Sequence, residues 1–245
     1  MTPSVMTALI AAAGVIAGAI ASLAGFGIGS VLTPVFALSH GTKLAVAAVS
    51  IPHVAGTALR FLRLKEHVDR RVFLGFGLMS LAGGLTGALL NTRLANPALT
   101  AVFAGLLVFS GLSGLTGLAK KLRFHGAAAW AAGGLSGFFG GLVGNQGGIR
   151  SASMLGFEIS KEAFVATATA VALLVDGARM PVYLATQGRE ILGMWPLVAV
   201  ATGGVLLGTL LGGRLLRRVP EKVFGKVVSS LVLVLGLFML VRALG

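Results

Sequence analysis

Cysteine is absent from this chain of 245 residues, which removes disulfides, thiolate chemistry and cysteine-ligated metals from consideration. Charge is nearly as scarce: 11% of the residues are charged, and only 7 acids stand against 20 Lys and Arg. A chain so poor in charge, 56% hydrophobic and with mean hydropathy +0.95, would aggregate as a soluble globule, so its solvent is a bilayer. The net charge of +13 does not point to nucleic acid, because the basic residues form short clusters between apolar runs and no continuous basic face. Cytoplasmic loops of membrane proteins carry such clusters. Residues 1–24 are apolar but lack the basic start of a signal peptide, and they match the segment before Gly144, so they are expected to be retained structure.

What the chain has in abundance is glycine, 37 residues in all. Two glycine-rich interruptions, GFGIGS (Gly25 to Ser30) and GNQGGIRS (Gly144 to Ser151), cut otherwise apolar segments 119 positions apart. The same offset superposes Gly18 on Gly137, Gly29 on Gly148, Ser50 on Thr169 and Arg60 on Arg179. After a slip of two residues, Gly87 falls on Gly208 and Arg93 on Arg214. Two copies of one unit, 1–122 and 123–245, within one membrane domain are the expected organisation.

Apolar stretches long enough to cross about 30 Å of hydrocarbon run over 43–62, 72–91, 98–118, 161–184, 191–213 and 223–243. Segments 6–39 and 125–157 each hold a helix, the glycine break and a piece of about ten residues that is too short to cross alone. Each is either one span with a bent extension or a hairpin that enters and returns. The positive-inside rule arbitrates between them. With two hairpins, roughly fourteen Lys and Arg share the inner side against about five outside, Arg70, Lys120, Lys121, Arg123, Arg214, Arg217 and Arg218 being among the fourteen. Single crossings give about eleven against about eight. The expected fold is therefore an all-α polytopic membrane protein. It has two repeats, each a broken or re-entrant helix plus three transmembrane helices, in inverted topology with both termini outside.

Backbone that leaves the helical state at membrane depth exposes unpaired N–H and C=O groups, tolerable only inside protein or beside a wet cavity. The breaks are accordingly the expected substrate site: Gly25, Phe26, Gly27, Gly29 and Ser30 from the first, with Gly144, Asn145, Gln146, Gly147, Gly148, Arg150 and Ser151 from the second. Short helices starting near Ser30 and Ile149 direct free N–H donors and the positive dipole end at the breaks, which suits an anion. Hydroxyls of Ser30, Thr33, Ser151 and Ser153 add donors. Arg150 is the sharpest residue, since an arginine at a helix centre costs about 2.5 to 3.5 kcal/mol on insertion scales and is normally retained for function. The competing account is snorkelling to the surface or an ion pair with Asp176 or Glu158. Asp176 and Arg179, three apart on one helical face, either neutralise each other or take part in coupling. His53, behind Pro52, and Thr167 and Thr169 are further candidates for coupling or for lining a path. Gly83, Gly84, Gly87, Gly203, Gly204 and Gly208 are expected to serve close helix packing instead.

Several chemistries are excluded. GNQGGIRS lacks the lysine that a phosphate-binding loop places before its hydroxyl residue. GLSG at 111–114 and 134–137 would suit an intramembrane serine protease, but no histidine follows Ser136, and His125 falls near a basic loop. The arginine in the second break would repel the cations of a potassium filter, which GFGIG otherwise suggests. An enzyme is not expected, nor a metal or cofactor.

At these residues the chain resembles the sulfite exporter TauE/SafE family of membrane permeases, over nearly its whole length. The resemblance rests on the glycine-rich break after the first helix of each half, AIASLAGFGIGS and GGLSGFFGGLVGNQGG, with Pro34 shortly after the first. Phe26 and Ile28 interrupt the usual glycine run, and no proline follows the second break. The resemblance implies a multi-pass transporter of the cell (inner) membrane that moves sulfite, organosulfonates or small carboxylates, often outward. Its partners would be that small anion and the lipid bilayer, with no nucleic acid; a homodimer is left open. Alternating access to a site near mid-membrane is the expected mechanism, with an anion channel as the alternative.

The absence of cysteine makes the topology directly testable. Single cysteines at Lys43, Arg93 and Gln187 should react with an impermeant maleimide from outside, whereas those at Glu66, Leu122 and Glu221 should not. External labelling at position 221 would overturn the inversion.

Overall fold

The computed structural model describes residues 2–118, 124–215 and 220–244. Among them, seven helices are long and apolar enough to cross a membrane. Helix α1 (Pro3–Ala24) opens on a proline, whose missing N–H would be unsatisfied at a helix start in any case. It is 22 residues long and can cross without its extension. After the first break, α2 (Ile28–Leu64) is broken at Gly41, where φ is 72°, so a short piece is divided from the crossing that follows. There the backbone N–H of Lys43 donates to Asn96 Oδ1 at 2.8 Å, and Lys43 Nζ donates to the carbonyls of Thr92 and Leu94. Next come α3 (Arg70–Arg93), with a π-helical turn over Phe73–Gly77, and α4 (Asn96–Thr116).

The later part begins with α5 (Ala127–Val143), only 17 residues or about 25 Å long. Beyond the second break, α6 (Gly147–Met154) is followed by α7 (Lys161–Gly193), α8 (Trp195–Leu215) and α9 (Glu221–Leu244). Ser160 caps α7, its hydroxyl accepting from the N–H of Ala163 at 3.1 Å.

One expected span is wrong in extent. Helix α7 does not stop near 184; it runs 33 residues, about 50 Å, with Pro181 inside it. Hydropathy marks where apolar character ends, whereas ATQGRE (185–190) contains Ala, Gln, Arg and Glu, good helix formers that carry the helix onward. Gln187 is consequently buried in α7, and the exposed Arg189 is the better labelling position. Lys120, Lys121, Arg123, Leu122, Arg217 and Arg218, with the expected boundary at 122/123, lie outside the described residues.

The helices pack across the two halves of the sequence. Helix α1 lies against α8, and α5 against α3, so the first helix of each half packs on the second long helix after the break in the other. Helices α4 and α9 pair, while α2 and α7 run through the middle, in contact with each other, α2 also touching α8 and α7 touching α3. Glycine permits the two close pairings. A Cβ at Gly18 would strike the Val205 carbonyl and one at Gly208 the Val15 carbonyl; Gly87 and Gly141 face the carbonyls of Phe138 and Gly84 in the same way. Gly83 and Gly204 also sit in these seams and Gly84 packs on Val175, but Gly203 faces open space. Leu62, Val227, Val234 and Val241 point outward, where hydrocarbon accommodates them.

Replacement at the seam should therefore differ from replacement outside it. Gly87→Val should lose about 1 to 3 kcal/mol through overpacking, while Gly203→Val should melt in detergent like the parent. Equal melting temperatures would show that the seam does not limit stability.

Candidate functional site

Both breaks begin alike. Gly25 and Gly144 adopt φ of 76° and 72°, and each N–H bonds back at 3.0 Å to a carbonyl four residues earlier, Ala21 or Gly140. Gly27, with φ of 126°, completes the first break before α2. The breaks then meet. Ser30 Oγ donates to Asn145 Oδ1 at 3.3 Å, and Arg150 Nη2 donates to the Gly25 carbonyl at 3.3 Å. A Cβ at Gly29 would collide with the Gly144 carbonyl and one at Gly147 with the Phe26 side chain, so only glycine lets the two breaks lie this close.

The 119-residue offset extends to individual hydrogen bonds. Arg60 in α2 donates to the Ala21 carbonyl of α1, and Arg179 in α7 donates to the Gly140 carbonyl of α5 at 2.9 Å. Helices that end inside the protein leave carbonyls without partners, and a buried guanidinium answers that need in each half. For α5 the capping continues: Tyr183 Oη donates to the Gly141 carbonyl and Asn91 Nδ2 to the Leu142 carbonyl at 2.8 Å.

The halves differ in what accompanies the arginine. Arg179 bonds Asp176 Oδ1 through Nε at 2.9 Å and Nη2 at 2.8 Å, and His53 Nδ1 donates to the other carboxylate oxygen at 2.7 Å. At the position matching Asp176, the first half has Thr57, which accepts from Arg60 Nη2 at 3.1 Å. Three guanidiniums, Arg60, Arg150 and Arg179, are thus buried with one carboxylate, Asp176, at 4%, 2%, 2% and 1% exposure. Among the described residues no carboxylate pairs with Arg60 or Arg150. The ion pair of the competing account, Arg150 with Asp176 or Glu158, is therefore not formed, and the burial of Arg150 leaves no room for snorkelling.

Many polar atoms here have no partner in the protein: Arg150 Nε and Nη1, Arg60 Nε, Asn145 Nδ2, both side-chain polar atoms of Gln146, Thr33 Oγ1 and Asn91 Oδ1. All but two, Gln146 Oε1 and Asn91 Oδ1, are donors or hydroxyls. A buried donor without an acceptor is costly, so this arrangement can hold a group rich in acceptor oxygens.

Other expected residues lie in different settings. Thr167 Oγ1 accepts from the N–H of Asp69 at 2.9 Å, and Thr169 Oγ1 donates to its own helix at Val165, so both hydroxyls are committed. Phe26, Gly148 and Ser151 line a cavity of about 130 Å³ with Ser110 and Ser113 of α4 and Ser229 of α9. These three serines carry no signal in the sequence, because they reach the cavity only through helix packing. Arg60 was visible only as a matched position of the repeat. Among the described residues no group of His, Asp and Glu is arranged to hold a metal ion.

Residues 10–239 match the family model described as Sulfite exporter TauE/SafE. No curated protein and no solved structure matches the chain.

The Asp176 network generates a stability prediction. Asp176→Asn leaves Arg179 buried without its counter-charge and should cost about 3 to 5 kcal/mol in detergent unfolding. Thr57→Ala, which removes one hydrogen bond to Arg60, should cost about 1.5 to 3 kcal/mol at most. Equal losses would mean that Asp176 does not act as a counter-charge.

Proposed function

Because the chain belongs to the sulfite exporter TauE/SafE family, we propose that it is a secondary transporter which binds a small oxyanion, sulfite or a small organosulfonate, at the two facing breaks and carries it outward. The family and the seven apolar helices make it a multi-pass integral membrane protein; the inner cell membrane is the location we assign. The observation that carries the reading is Arg150, which bridges from the second break to the Gly25 carbonyl of the first and keeps two N–H donors without acceptors. Asn145 and Gln146 add amide donors beside it. The guanidinium supplies a charge and a planar fork suited to a sulfonate or carboxylate.

Alternating access follows from how the halves interlock. We read them as inverted repeats, a reading supported by the exchanged pairings of α1 with α8 and α5 with α3. Each half contributes one break, so a movement of the interlocked helix pairs about the breaks would change the side to which the shared site opens while the anion stays between them.

Reconstituted protein tests this with sulfite, sulfate, sulfoacetate and simple carboxylates. Arg150→Ala should weaken anion affinity at least about tenfold, and Arg150→Lys, which keeps the charge without the fork, should be intermediate. Saturable uptake with counterflow is expected. Unchanged affinity and transport in a folded Arg150→Ala protein would remove Arg150 from the site, and conductance without saturation would make the protein a channel.

A further inference from the structure

We infer that the site is built for a doubly charged oxyanion, with Arg60 as the second counter-charge beside Arg150. This rests on the anion-binding reading above and specifies its substrate class. Arg60 and Arg150 both donate to carbonyls at the same helix end: Ala21 O receives Arg60, and Gly25 O, just beyond the helix, receives Arg150. Ala21 lies in the last turn of α1 and Gly25 just past it, where the chain turns left-handed and the Gly25 N–H bonds back to Ala21 O, so both arginines meet the same helix end.

Two positive charges so placed need two negative ones. The C-terminal end of α1 contributes only about half an elementary charge. Asp176 is already engaged, one oxygen with Arg179 and the other with His53. The comparison between halves is decisive here. Beside Arg179 the chain supplies its own carboxylate; beside Arg60, at the matching position, it places the neutral hydroxyl of Thr57. Arg60, 4% exposed and with Nε unpartnered, therefore has no carboxylate partner among the described residues, and Arg150 has none either, with Nε and Nη1 unpartnered, so the single charge of Asp176 serves three guanidiniums. Uncompensated charges in a low-dielectric interior are strongly unfavourable, and a dianion offering several acceptor oxygens answers both the charge and the free donors. A monoanion would leave one guanidinium unbalanced.

The test compares anions of matched shape and different charge on purified protein: sulfate against methanesulfonate, and sulfoacetate against its amide. Calorimetry on the parent should show each dianion binding at least about tenfold tighter than its monoanionic partner. Arg60→Gln should abolish that preference, and Arg60→Lys should retain it. Thr57→Asp gives Arg60 the counter-charge that Arg179 already has; it keeps every arginine, should fold, and should also abolish the preference. Equal binding of both classes by the parent, or a preference that survives both Arg60→Gln and Thr57→Asp, overturns the inference while leaving anion binding intact. A parent that binds none of these anions, nor sulfite, overturns the function proposed above as well.

Discussion

A helix that stops inside a membrane protein must find partners for its last carbonyls, and no water is at hand to supply them. At the ends of α1 and α5 that requirement is met by buried guanidiniums, Arg60 on Ala21 and Arg179 on Gly140, and across the breaks by Arg150 on Gly25. Much of the central architecture follows from this demand. The glycines at 25 and 144 turn the chain at the helix end, the long central helices carry the arginines, and the charges so buried then need compensation of their own.

Compensation is where the two halves part. In one, the Asp176 carboxylate holds Arg179 and His53 in a closed network. In the other, Thr57 satisfies only a hydrogen bond and leaves the charge standing. Capping and, in the function we propose, ligand binding are two uses of one set of arginines: the N–H groups that face carbonyls hold the breaks, and those left over are free for a ligand.

The breaks were legible in the sequence because the left-handed turns at Gly25 and Gly144 demand glycine in an otherwise regular apolar pattern. Arg150 stood out for a similar reason, since charge within an apolar segment is expensive. The true partner of Asp176 was only half legible. Arg179, three residues away on the same helix, was predictable, but His53 reaches Asp176 from 123 positions earlier through tertiary packing, which no local spacing encodes. The length of α7 was misjudged because polarity and helix propensity disagree after 184, and propensity prevails there. Ser110, Ser113 and Ser229 were invisible because ordinary serines in apolar helices become a cavity wall only when α4, α6 and α9 converge.

The exchanged packing of the first helices has a consequence for biosynthesis. Helix α1, which ends at Ala24, is made well before the helix that fits its glycine face, α8, which begins at Trp195. Until then α1 waits in lipid with its seam unoccupied, and α3 likewise waits for α5. Each half presents a glycine seam that only the other half fills. The protein is assembled as a late, mutual clasp, and a chain truncated before α8 would hold its first helix without its mate.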